Sequence, residues 1–268
     1  MSTAPGAPVE LYCREAGKGP PVVLLHGLGG THTVWNEILP GLSEEFHVLA
    51  PDLRGHGRSP NPTGSTYSFD EMAGDVEKLL VDHQLADAHL VGLSAGGFLA
   101  LYEAVRAPAK LRSLVLISSA GHSEQHTRGI VDRWAATYRE DGFDTYALRL
   151  LKDLYYPDWI EAHLDYADEV REQLRTADLR GTAGWGAATK SFDLRGRLGK
   201  IRLPTLIIQG MDDAVVDSSH ARLLRQTIPG AELKLLAQTG HMVPVERPAA
   251  TLEAVRTFLR AAEARRSG

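Results

Sequence analysis

Short, wholly apolar runs bounded by Gly, Pro and Asp recur along the chain, and most are followed by stretches whose apolar residues return every three or four positions. Aliphatic runs of that length suit strands, and the three-to-four spacing suits amphipathic helices. The alternation predicts βαβ units around a mainly parallel sheet, an α/β fold. Strands are expected at 9–14, 22–25, 46–50, 88–93, 111–117, 205–209 and 233–236, and helices at 69–82, 95–107, 218–227 and 249–262. Val22-Val23-Leu24-Leu25 and Leu114-Val115-Leu116-Ile117 carry no polar residue, as central strands covered on both faces would. Pro108 and Pro229 fall just beyond two of the helices, where a residue without an N–H ends the pattern.

Between residues 121 and 192 the rhythm changes. The aliphatic runs disappear, and Trp134, Tyr138, Phe143, Tyr146, Tyr155, Tyr156, Trp159, Tyr166 and Trp185 appear at helical spacing with charges on the other faces. This segment is too aromatic for a linker and too continuous for disorder. It predicts a helical insertion at 121–191, roofing a core made of 1–120 and 192–268. Most of its aromatics are expected to fasten it down, and one or two to line the cavity beneath.

At 268 residues the chain suits one large domain with such an insertion. A net charge of −5 leaves no basic footprint, which argues against nucleic acid and anionic membrane as partners. The single cysteine, Cys13, allows no internal disulfide and no thiolate cluster, so no metal is expected. It reads as a buried or half-buried strand residue. Residues 1–8 lack a basic stretch followed by an apolar one, and no run approaches the ~20 apolar residues of a membrane span. A cytoplasmic protein is the expectation.

The junction between strand 88–93 and helix 95–107 reads Gly92-Leu93-Ser94-Ala95-Gly96. A serine flanked by glycines there is the signature of a nucleophile elbow, a strained turn that lifts the hydroxyl clear of the sheet. A serine hydroxyl is a weak nucleophile until a base takes its proton, and the base needs an orienting carboxylate. Of the eleven histidines, His241 stands in Gln238-Thr239-Gly240-His241, a loop after the last strand and before the last helix. From the carboxyl edge of the sheet that loop can hold an imidazole over the serine. His47, His83, His89, His163 and His220 belong to regular elements; His32 and His56 suit turns; His122 and His126, at the start of the insertion, could touch a ligand. For the acid, the turn after strand 205–209 offers Asp212, Asp213 and Asp217, whereas the turn after strand 111–117 offers only Ser118, Ser119, Ala120 and Gly121. A third component is His26-Gly27-Leu28-Gly29-Gly30, directly after strand 22–25. Its glycines let the backbone approach the serine, so that the Leu28 and Ala95 N–H groups could share an oxyanion. No phosphate-loop pattern is present, and His26 reads as a brace for its own loop.

With these motifs, together with Asp52-Leu53-Arg54-Gly55-His56-Gly57-Arg58-Ser59, Gly210-Met211-Asp212-Asp213 and Glu246-Arg247-Pro248, the chain resembles the α/β-hydrolase fold superfamily. Within it the chain is similar to the bacterial carboxylesterases and enol-lactone hydrolases. The resemblance implies that the acid stands three residues after the glycine, which selects Asp213, and that the 52–59 stretch is a structural turn. It also implies that the insertion is a cap over the substrate. Ser94 stands where epoxide hydrolases and haloalkane dehalogenases carry aspartate. Met242 stands where carbon–carbon hydrolases typically carry tryptophan, and Ala95 is smaller than the methionine many relatives have there. The implied activity is cofactor-free hydrolysis of a small ester or lactone by Ser94, His241 and Asp213, with Gly27, His122, Trp134, Trp185 and Met242 as candidates for contacts with the substrate. The same residues could instead serve carbon–carbon hydrolysis, lyase or perhydrolase chemistry, or a slow-turnover ligand receptor.

Overall fold

In the computed structural model, which describes residues 6–62 and 67–267, the apolar runs assemble into one seven-stranded sheet. The strands are β1 (Cys13–Ala16), β2 (Pro21–Leu25), β3 (His47–Pro51), β4 (Ala88–Leu93), β5 (Leu111–Ile117), β6 (Thr205–Gly210) and β7 (Glu232–Leu236). Their order is β1-β3-β2-β4-β5-β6-β7, parallel throughout except for β1, which runs antiparallel to β3 on one edge. The order reverses between β2 and β4. Loops leaving the carboxyl ends of those two strands therefore flank a topological switch point, where sheets of this kind open a crevice.

Helices cover both faces because successive strand residues point opposite ways. Val23, Leu25, Leu90, Leu114 and Leu116 pack with α2 (Phe69–Asp82), α3 (Ala95–Arg106) and α8 (Ser218–Thr227). Val22, Leu24, Val48, Val91 and Val115 pack with α1 (Leu39–Ser43) and α10 (Pro248–Ser267). Helix α2 starts with a reciprocal cap, Ser68 accepting from the Glu71 N–H and Glu71 accepting from the Ser68 N–H.

The first strand begins later than the sequence pattern predicts. Val9 and Leu11 are buried, but the Val9 N–H donates to Asp75 Oδ1 (2.7 Å) and the Tyr12 N–H to Ser59 Oγ (2.9 Å). The apolar alternation here belongs to a strap along the core, and ladder pairing starts only at Cys13. Of the N-terminal stretch read above for a leader, residues 1–5 lie outside the described residues.

Between β5 and β6 the chain makes a helical excursion of α4 (Gln125–Leu154), α5 (Pro157–Glu161), α6 (Leu164–Thr176) and α7 (Leu179–Lys190). Helix α4 is broken at Gly142 (φ +82°, ψ 179°), a conformation that side-chain-bearing residues rarely adopt. A bridge between His122 and Asp193 joins the points where the chain leaves the sheet layer and returns. After β7 a short turn, α9 (Val243–Glu246), leads into α10. None of the described helices is long and apolar enough to cross a membrane.

Candidate active site

Ser94 links β4 to α3 with φ +54° and ψ −119°, a strained conformation fixed from several sides. Its N–H donates to the Ile117 carbonyl (2.9 Å), and its own carbonyl accepts from Ser119 Oγ (3.0 Å) and from the Gly97 N–H (2.9 Å). The flanking glycines are a packing requirement. A Cβ at Gly96 would strike the carbonyl oxygens of Leu25 and His26, and one at Gly92 would strike the Gly96 carbonyl. β2, β4 and α3 can approach this closely only without side chains there. The turn leaves Ser94 at the N-terminus of α3 with the Ala95 N–H beside it.

The turn after β6 separates the three aspartates. Asp217 caps α8 through the Ser219 N–H (2.8 Å), and Asp212 is exposed, its carboxylate accepting from the Thr239 N–H (3.4 Å). Asp213 points inward. Its Oδ1 accepts from the Val215 and Val216 N–H groups (both 2.9 Å) and its Oδ2 from Gln209 Nε2 (2.8 Å). The His241 Nδ1–H meets the same carboxylate at 2.8 and 3.0 Å. That bond sets which ring nitrogen carries the proton and leaves Nε2 to act as the acceptor. Both side chains are buried, so little water competes for the contact.

The His241 loop has its own support. The His241 N–H donates to the Leu154 carbonyl at the end of α4 (2.8 Å). Buried Glu246 accepts from the N–H groups of Gly240 (2.9 Å), Tyr156 (3.0 Å) and Met242 (3.1 Å). Burial pushes the pKa of Glu246 up, and those three amides pull it back. One carboxylate thus ties the histidine loop to the end of the helical excursion. In the sequence it is visible only by its place behind His241 in Glu246-Arg247-Pro248.

The Gly27–Gly30 loop crosses beside the serine. A Cβ on Gly27 would stand 3.1 Å from Ser94 Cβ and 3.7 Å from its Oγ. Two imidazoles brace the loop. His26 Nε2 accepts from the Leu53 N–H (2.9 Å) while its Nδ1–H donates to the Gly27 carbonyl (2.8 Å). His56 Nε2 accepts from the Gly29 N–H (3.0 Å) and its Nδ1–H donates to the Arg54 carbonyl (3.1 Å). Burial lowers their pKa values to about 3 and about 4, keeping both rings neutral as these acceptor roles require. The 52–59 turn therefore positions the loop that carries Leu28.

Ser94, Ala95, Leu28, Gly27 and His241 all line one cavity of about 270 Å³. Trp134 and Met242 line it too. His122 and Trp185 do not. His122 lies at the base of the excursion against the His220 ring, 5.1 Å between centroids. Trp185 is 1% exposed, and its indole N–H is spent on the Arg54 carbonyl (3.0 Å), so it fastens α7 to the 52–59 turn. The wall from the excursion is instead built by Tyr146, Leu150 and Leu154, with Tyr155 and Tyr166. The four-residue spacing of the first three is a stripe that the sequence offered.

Among the described residues, the group able to hold a metal ion is Glu15, His47 and His83, with donor atoms within 4.8 Å of one another. His47 starts β3, so this group sits at the opposite edge of the sheet from Ser94 and plays no part in the cavity.

Comparison with known proteins agrees with this architecture. The family model for the alpha/beta hydrolase fold matches residues 20–248. A relative from Variovorax paradoxus (strain S110), named "Putative carbamate hydrolase RutD", is 32% identical over 258 residues, covering 94% of this chain and 96% of its own. A hydrolase from Pseudomonas aeruginosa PA01 superposes with a TM-score of 0.86 at 33% identity, covering 93% and 94% of the two chains. An enol-lactonase from Burkholderia xenovorans LB400 does so with a TM-score of 0.87 at 29% identity, covering 93% and 96%.

Proposed function

The chain belongs to the α/β-hydrolase family, and on that premise we propose that it cleaves a carboxylic ester or lactone of a small hydrophobic or cyclic substrate. The reading rests on one observation above all: a serine at an elbow shares a cavity with a histidine whose Nδ1–H is held by a buried carboxylate. In this mechanism His241 Nε2 takes the proton as Ser94 Oγ attacks the acyl carbon. The Leu28 and Ala95 N–H groups hold the developing oxyanion, an interaction of the kind worth about 10²–10³ in kcat per donor. Collapse expels the alcohol with the proton returned by His241. Water, activated by the same imidazole, then releases the acyl group from Ser94. Asp213 holds the tautomer and stabilises the imidazolium throughout. Residues 121–191 act as a cap over a core of 1–120 and 192–268, since α4 and α6 supply one wall of the cavity.

The test is hydrolysis of p-nitrophenyl esters of increasing acyl length by wild type and by Ser94→Ala. Turnover confined to wild type is expected, with the length profile measuring the acyl space. Equal rates in the variant would overturn the reading. The name carried by the Variovorax relative favours a carbamate as a second substrate type. Carbamate carbonyls undergo the same acyl attack, and a p-nitrophenyl carbamate assayed beside the esters separates the two.

A further inference from the structure

The cavity wall is mainly apolar and aromatic, and its carboxylates carry charge of one sign. The acidic side chains of the lining are Glu37 and Glu169, and among the described residues no lysine or arginine lines it. Glu37 comes after the short turn His32–Trp35, and Glu169 comes from α6. Both are exposed, and neither is hydrogen-bonded or ion-paired among the described residues. Burial raises the pKa of the Tyr166 phenol, the Tyr155 hydrogen bond lowers it, and the charges of Glu169, Glu246 and Glu37 raise it further. Its hydroxyl lies 3.1 Å from that of Tyr155, another lining residue. Arg14 reaches this rim from outside by donating to Asn36 Oδ1 (2.5 Å), but it does not enter the lining.

We propose that this rim selects substrates by charge: the cavity takes esters or lactones whose remaining substituent is uncharged or cationic, and turns away those that carry a carboxylate. The inference rests on the hydrolase reading above. A carboxylate entering the cavity exchanges its hydration for an apolar wall with no cation to meet it. It also passes two like charges at the mouth. At ~7 Å separation and an effective dielectric of about 40–80, each is worth roughly threefold to sevenfold in binding, less at high salt. A cation gains where the anion loses, and the aromatic rings of Tyr155, Tyr166 and Trp134 in the lining suit it.

The experiment compares kcat/KM for three p-nitrophenyl esters of equal acyl length, ending in methyl, carboxylate or trimethylammonium, on wild type and on E37Q/E169Q at low and high salt. The carboxylate ester is expected to fall about tenfold or more below the methyl ester, and the trimethylammonium ester not to fall below it. The gap should narrow at high salt and shrink to about threefold or less in the double variant. Equal rates for the methyl and carboxylate esters, or a gap unchanged in E37Q/E169Q, overturn the inference. If wild type turns over none of the three, the hydrolase reading has failed, and charge selection is read from binding alone. Calorimetric titration of Ser94→Ala with hexyltrimethylammonium and with hexanoate then decides. Tighter binding of the cation, lost when E37Q and E169Q are added, sustains the inference; equal or tighter binding of hexanoate overturns it.

Discussion

Asp213 owes its position to the donors gathered around its carboxylate. Asp212 and Asp217 stand in the same turn, but only Asp213 meets the Val215 and Val216 N–H groups, the Gln209 amide and the His241 ring together. Asp213→Asn preserves the volume but brings an amide NH2 to a site where every partner donates. The imidazole then loses its tautomer, and kcat on a p-nitrophenyl ester should fall by about 10³–10⁴ with KM little changed. A loss below tenfold would show that Asp213 does not orient the ring. Glu246 acts one step further out as a positioning residue. Glu246→Ala removes an acceptor from the amides of Tyr156, Gly240 and Met242, and the buried Gly240 N–H left unpaired costs about 1–3 kcal/mol. The melting temperature should drop by about 2–12 °C and kcat with it. Glu246→Gln, which keeps an acceptor oxygen, should recover part of both, whereas a purely structural role would move the melting temperature and leave kcat alone.

Helix α3 shows how an element carries the site. Its first turn must lie against β2, and the Gly96 position enforces that approach. In Gly96→Ala the methyl group meets the backbone oxygens of Leu25 and His26, which cannot rotate away. The expected outcome is loss of soluble folded protein, or a folded protein with no esterase activity, read by circular dichroism and assay together. Further along the same helix Glu103 is buried; among the described residues its Oε1 accepts no hydrogen bond, and it forms a 3.5 Å ion pair with Arg106. Burial raises its pKa from 4.5 to about 7. Between those values the folded state holds more protons than the unfolded one, so stability falls as pH rises through that window. The full difference between 4.5 and about 7 corresponds to ~3 kcal/mol at most. Glu103→Gln should flatten the pH dependence of urea-unfolding free energy between pH 4.5 and 7 and leave the variant the more stable at pH 8. An identical pH profile would count against a buried, protonated Glu103. Strands and helices with strong periodicity, such as β4, β5 and α2, stand where the sequence pattern puts them. The 9–14 segment does not, because its N–H groups go to Asp75 and Ser59, partners far along the chain.

Across the whole molecule, Arg54 is where the layers meet. Its buried guanidinium pairs with Asp75 of α2 at 2.5 Å and donates to the Ala7 carbonyl (3.3 Å), while its carbonyl accepts from Trp185 of α7. Arg54→Ala leaves Asp75 buried without a counter-charge, which costs about 3–5 kcal/mol. The melting temperature should fall by about 6–20 °C, and a scan within 2 °C of wild type would refute this account. The sequence by itself determined the sheet, the glycine-flanked serine, the loop histidine and the glycine-rich loop after β2, because strand periodicity and turn chemistry act over a few residues. It also placed a helical excursion where the aliphatic runs stop. The resemblance singled out Asp213, and the fold supplied the reason in the donors gathered from β6 and its turn. Which excursion residues face the cavity was decided only by tertiary packing. Trp185 and His122 turned to buried partners of their own, while Tyr146, Leu150 and Leu154 took the wall. The charge of the mouth was likewise invisible in the sequence. Glu37 and Glu169 belong to separate elements, and only folding sets them on one rim without a neutralising cation in the lining.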